Sequence, residues 1–256
     1  MYLAADSILG GSAANNEINP TTLRVAGYLT DVRHRTGGLE GLGTESFHIN
    51  GSGIRPVRCS VLEHGEASSQ LAVVFPGFQH SADRPDLHYI QRRLFQAGAD
   101  VLRVEWQYWL PEYENLTASE QDACILADAR AAIDAAFERR GDTELTLVGK
   151  SLGTVAMAQL LDDPRCAGAR CIWETPLLDL TQLVDAIRRY RPQSLFVVDT
   201  ADPHYEEAVL DELERITGGQ SARIHGAGHD LEVDGDLEAT LDGLHRILEA
   251  VGQFIA

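Results

Sequence analysis

The chain has 256 residues, 44% of them apolar, enough for one large domain that buries about three-quarters of the surface its unfolded chain would expose. Asp and Glu outnumber Lys and Arg by 39 to 21, a formal charge of -18. That field repels phosphate backbones and anionic headgroups, so neither nucleic acid nor a membrane surface is expected as a partner.

No apolar run approaches the ~20 residues of a membrane span. The opening MYLAADSILGGSA lacks the positive n-region of a secretory signal, so a cytoplasmic protein is expected. Basic residues are arginine with one exception, Lys150, a bias that fits either GC-rich coding or adaptation to salt. Cys59, Cys124, Cys166 and Cys171 show no CxxC spacing and read as buried free thiols, with Cys166 and Cys171 the one pair close enough in sequence to bridge a loop.

In chain order, Asn19-Pro20 is a cap followed by a first-turn proline, and Leu23, Ala26, Leu29 and Val32 recur on one face up to Thr36-Gly37-Gly38. This predicts a tail over 1–18 and a helix over 20–35, laid on the domain or on a partner subunit and so a route to a homodimer. From residue 45, β-rich segments alternate with helical periodicity. The strands expected are ESFHIN, IRPVRCSVLEHG, LAVVF, DVLRVEW, ELTLVG, ARCIWE, SLFVVD and SARIHG. The helices expected are Pro85 to Ala97, Ser119 to Arg139, Leu152 to Leu161, Leu180 to Tyr190, Pro203 to Ile216 and Leu237 to Phe254. Thr117-Ala-Ser-Glu120 is a capping box for the second of these. A short glycine-bearing turn makes the first two strands antiparallel, whereas strands separated by helices run parallel. The fold class is therefore α/β, with a mixed, mostly parallel eight-stranded sheet covered by helices on both faces.

Gly149-Lys150-Ser151-Leu152-Gly153 matches G-x-S-x-G between the strand ELTLV and a helix, where the pattern marks a sharp turn that exposes a serine. Serine is also an ordinary helix N-cap, so the motif alone leaves both roles open. Upstream, LAVVF ends in Pro76-Gly77-Phe78-Gln79. Downstream, SLFVVDTADPHY carries Asp199 and Asp202, and SARIHGAGHDLE carries His225 and His229. The order Ser, Asp, His is that of one serine-hydrolase fold and differs from the others. Asp202 is preferred to Asp199 because it lies past the strand end. It precedes Pro203, however, and would also suit the N-cap of the next helix. His229 follows a G-A-G turn that lets it reach across the sheet edge, whereas His225 falls inside the expected last strand and reads as structural.

With VGKSLG, FPGF, VVDTADP and GAGHD each placed after a strand, the chain resembles the α/β-hydrolase family over residues 45 to 256. The resemblance implies Ser151 as nucleophile, Asp202 as acid and His229 as base, with the N–H groups of Phe78 and Leu152 as oxyanion hole. It implies no metal and no organic cofactor. The strand and helix pattern divides the chain into an N-terminal tail and arm, 1–42, and a hydrolase domain, 43–256. Relatives with dehalogenase or dienelactone chemistry are expected to carry Asp or Cys at the elbow, against Ser151. The activity implied is hydrolysis of a small or medium carboxylic ester. A thioesterase, an acyltransferase or a ligand-binding protein on the same scaffold are the alternatives. The loop Trp106, Tyr108 and Trp109 is expected either to wall the substrate pocket or to pack as core. Lys150 is expected to pair with Glu174 on the next strand, and a Ser151-Lys150 dyad is the rival use. The short stretch after ARCIWE leaves no room for an inserted cap, so an open site is expected.

Overall fold

The computed structural model describes residues 43–65, 68–141 and 143–256, so the expected tail and arm lie outside the described residues. Eight strands form one sheet: β1 (Gly43–Ile49), β2 (Val57–Glu63), β3 (Gln70–Phe75), β4 (Asp100–Glu105), β5 (Glu144–Lys150), β6 (Arg170–Glu174), β7 (Gln193–Asp199) and β8 (Gln220–Ile224). Their order is β1-β2-β4-β3-β5-β6-β7-β8. β1 and β2 pair antiparallel, β2 meets β4 antiparallel, and every remaining pair is parallel.

The period-two rule explains how one sheet builds two cores. Along β3, Leu71, Val73 and Phe75 enter one cluster while Ala72 and Val74 enter the other. Along β7, Phe196 and Val198 oppose Leu195 and Val197 in the same way. Strands covered on both faces read as continuous apolar runs, as these do. The first core is closed by α3 (Ala118–Arg140), α4 (Leu152–Leu160), α5 (Thr181–Tyr190) and α6 (Glu207–Thr217). The second is closed by α1 (Pro85–Gln96) and α7 (Leu237–Phe254) through Leu87, Ile90, Leu94, Ile247 and Val251. Each such side chain fully withdrawn from water contributes about 1.5–3 kcal/mol.

Local signals set most boundaries. The Thr117 hydroxyl accepts the Glu120 N–H and the Glu120 carboxylate accepts the Thr117 N–H, so the capping box starts α3. β2 begins at Val57 rather than Ile54, just past Pro56, which has no N–H to give a ladder. The helix expected from Pro203 begins at Glu207, because the N–H groups of His204 and Tyr205 turn back onto Asp202. A short helix α2 (Pro111–Glu114) had no expected counterpart. All four cysteines are free and buried. Among the described residues no helix is long and apolar enough to cross a membrane.

Candidate active site

The carboxyl ends of the parallel strands gather their loops at one edge, among them 76–80 after β3, the turn at Ser151 after β5, 200–206 after β7 and 225–236 after β8. Ligand sites of open α/β sheets lie at this edge. Backbone strain gathers there too. Gln79 (φ 54), Ser151 (φ 49), Thr175 (φ 38) and Leu231 (φ 59) are non-glycine residues in the left-handed region, and each follows a strand at this edge.

The elbow is built by close approach. A Cβ on Gly149 would sit 2.5 Å from Met157 Sδ, and one on Gly153 would sit 2.0 Å from the Phe75 carbonyl oxygen. Only glycine at both positions lets β5 turn directly into α4 against β3. Ser151 precedes α4 with φ 49 and ψ -112, and its side chain makes no cap hydrogen bond. The ordinary N-cap role is thereby excluded. The Ser151 N–H donates to the Glu174 carbonyl at 3.0 Å, and its carbonyl accepts the Thr154 N–H at 2.9 Å.

Gly77 brings the neighbouring turn against the elbow, since a Cβ there would lie 3.3 Å from Ser151 Cβ. His80 N–H donates to the Gly77 carbonyl at 3.3 Å and closes that turn around Phe78. Among the described residues, the N–H groups of Phe78 and Leu152 have no hydrogen-bond partner. Two unspent donors therefore flank the serine.

On the far side, His229 Nδ1 lies 2.8 Å from Asp202 Oδ2, with Asp202 buried and the His229 side chain 29% exposed. The second Asp202 oxygen accepts the His204 N–H at 2.8 Å. Asp199 meets no histidine. Its oxygens accept the N–H groups of Ala201 at 2.6 Å and Ala227 at 2.8 Å, tying the loop after β7 to the loop after β8. His225 lies one residue past β8 rather than within it, and its Nδ1 pairs with Thr200 Oγ1 at 3.0 Å. No hydrogen bond joins Ser151 Oγ to His229 Nε2 in this structure. Such contacts are commonly long without substrate and tighten when it binds.

The aromatic loop divides. Trp106 and Tyr108 do not wall a pocket: they are 2% and 4% exposed and belong to the first core. Trp106 stacks on Phe75 and donates from Nε1 to the Pro76 carbonyl at 3.1 Å, bracing the turn that carries Phe78. Tyr108 donates to Asp128 Oδ2 at 2.9 Å, and burial together with that carboxylate pushes its phenol well above the usual range. Trp109 alone of the three remains partly exposed.

Lys150 does not pair with Glu174, although the two are register partners on β5 and β6. Its ammonium donates to the His229 carbonyl at 3.0 Å and to Thr175 Oγ1 at 3.2 Å, and lies 3.5 Å from Asp86 Oδ2. Both of its hydrogen bonds go to groups other than Ser151, so the Ser151-Lys150 contact of a dyad is not formed in this structure. Burial, with the nearby Asp86 charge, pushes the Glu174 carboxyl well above the carboxylate range against the pull of Lys150.

Sequence reasoning missed a second imidazole. His204 pairs through Nδ1 with Asp179 Oδ1 at 2.9 Å, and its ring meets that of His229 edge to face at 5.4 Å. Its place directly after Asp202-Pro203 was the available signal. Among the described residues, no group of three or more His, Cys, Asp or Glu is arranged to hold a metal ion.

No family model and no curated protein matches the chain. Solved structures do. A cold-adapted esterase from an Arctic intertidal metagenomic library superposes with a TM-score of 0.60 at 15% identity, over 83% of this chain and 95% of that one. An α/β serine hydrolase homologue from Coxiella burnetii gives 0.64 at 13% identity, over 83% and 97%. A serine hydrolase without lid from Xanthomonas campestris gives 0.61 at 15% identity, over 82% and 94%. In this chain, too, only residues 175–180 connect β6 to α5, which leaves no inserted segment over the edge. With its strand order, its serine turn after β5 and these superpositions, the chain has the α/β-hydrolase fold.

Proposed function

We propose that the protein is a serine hydrolase that cleaves small or medium carboxylic esters through an acyl-enzyme. The observation that carries this reading is the Asp202–His229 pair held at the same sheet edge as a serine that caps nothing. Ser151 Oγ attacks the ester carbonyl while His229 Nε2 takes its proton. Asp202, bonded at Nδ1, fixes the tautomer that leaves Nε2 free to accept, and it stabilises the imidazolium that follows. The N–H groups of Phe78 and Leu152 receive the charge that develops on the carbonyl oxygen. Collapse of the tetrahedral intermediate expels the alcohol, which takes the proton from His229. Water, deprotonated by the same imidazole, then releases the acid and restores Ser151.

That two of the neighbouring structures are named esterase and serine hydrolase supports this choice of reaction. The absence of an inserted segment between β6 and α5 supports substrates that need no closing lid. The test is a short p-nitrophenyl ester together with a fluorophosphonate probe. The wild-type protein is expected to turn over the ester and take one label. Ser151→Ala should take none and lose roughly a million-fold in kcat while unfolding at the same temperature. Labelling that persists in Ser151→Ala would end the assignment.

A further inference from the structure

The only lysine of the chain ends the strand that carries the elbow, and it is 1% exposed. An ammonium has three N–H donors and no acceptor. Here two acceptors and one carboxylate surround it: the His229 carbonyl at 3.0 Å and Thr175 Oγ1 at 3.2 Å take hydrogen bonds, and Asp86 Oδ2 lies at ion-pair distance, 3.5 Å. They come from the loop after β8, the end of β6 and the first turn of α1. A guanidinium, planar and larger, would not aim its donors at three convergent points, which accounts for lysine in a chain otherwise committed to arginine.

The contacts extend further. His80 Nε2 sits 3.1 Å from Asp86 Oδ1 and 3.0 Å from Oδ2, and His80 closes the turn that presents Phe78. Burial opposes the Asp86 charge, but His80 and Lys150 outweigh it and hold that carboxyl well below its ordinary range. Glu174 is fully buried beside this pair, and burial together with the Asp86 charge pushes its carboxyl well above the carboxylate range. Thr175 adopts φ 38, a costly conformation for a β-branched residue, and is pinned by its N–H to the Val197 carbonyl at 2.8 Å and by its hydroxyl to Lys150.

We propose that Lys150 is a positioning residue: through His229 O, Thr175 and the Asp86–His80 pair, its buried ammonium holds the base loop and the oxyanion turn in register with Ser151. The inference rests on the reading of Ser151, His229 and Phe78 given above. It does not make Lys150 a proton carrier, since no contact joins it to the serine.

Removing the cation alone would strand the buried Asp86 carboxylate and threaten folding, so Lys150→Met is combined with Asp86→Asn. The double variant is expected to unfold cooperatively and keep KM for a short p-nitrophenyl ester within about threefold, while kcat falls about a hundredfold, the cost of a displacement on the order of 1 Å at the reacting atoms. A folded double variant with wild-type kcat overturns the proposal. If the double variant does not fold, Thr175→Val, which deletes one acceptor at constant shape, replaces it with the same criteria. A second readout needs neither variant nor turnover. Lysine labelled with 15N at Nζ gives one side-chain resonance in this chain, and a held ammonium exchanges its protons slowly with water. Exchange at the rate of a free lysine overturns the proposal. A wild-type protein inert to ester and probe would instead remove the hydrolase reading, and the exchange measurement would still decide whether Lys150 holds the loops.

Discussion

His229 Nδ1 and Asp202 Oδ2 meet at 2.8 Å, while Asp199, on the same strand–loop junction, spends both carboxylate oxygens on backbone N–H groups. The two aspartates therefore differ in kind. Asp202→Asn should lower kcat on the order of ten-thousand-fold, because the amide no longer selects the tautomer with a free Nε2. Asp199→Asn keeps one acceptor but forces an N–H donor toward a backbone N–H, so its main effect should be a lower melting temperature. Steady-state kinetics and thermal unfolding of both variants separate the roles, and a larger kcat loss in Asp199→Asn would reverse them.

Trp106 is buried and braces the turn that carries Phe78. Trp106→Phe retains a ring against Phe75 but leaves the Pro76 carbonyl without its 3.1 Å donor. An unpaired buried acceptor costs about 1–3 kcal/mol, so a lower melting temperature is expected together with a reduced kcat. Relative rates across acyl chain lengths should not change. A shift in chain-length preference would show that Trp106 contacts the acyl group.

Gly153→Ala sets a new Cβ 2.0 Å from the Phe75 carbonyl oxygen, a backbone atom of a central strand that has nowhere to retreat. Overpacking of this sort should destabilise by on the order of 3 kcal/mol or more. The expected outcome is a protein that unfolds well below the wild-type temperature or does not accumulate in folded form, and a wild-type melting temperature would contradict the elbow geometry.

Glu174 ties stability to pH in a direction opposite to most carboxylates. Its folded-state pKa is raised by burial and by Asp86. The native protein therefore holds a proton that the unfolded chain releases above about pH 4.3. The stabilising contribution of the neutral acid is fully present below that value and declines as pH rises toward the folded-state pKa. Glu174→Gln, neutral throughout, should match wild type in acid and gain on it progressively as pH increases. Denaturant titrations of the two proteins at several pH values give the difference, and a constant offset would mean that Glu174 is ionised in the fold.

What the sequence determined was local. Period-two apolar runs marked the strands, the Thr117-Glu120 box began α3, and Gly149 and Gly153 on either side of Ser151 marked the turn between strand and helix. The sites follow from nearest-neighbour sterics and hydrophobic periodicity, which need no knowledge of distant residues. The tertiary structure decided what depends on loops folding over the sheet edge. It brought Asp202 rather than Asp199 to His229, and turned Trp106 and Tyr108 into the core. It gave Lys150 to Asp86, Thr175 and the His229 carbonyl instead of to its strand partner Glu174. Lys150 and His229 are 79 residues apart in the chain. No local pattern encodes such a contact. The Lys150–Asp86 pair forms only once β5 and α1 are packed at the edge, where burial opposes the Asp86 charge and the neighbouring His80 and Lys150 hold it.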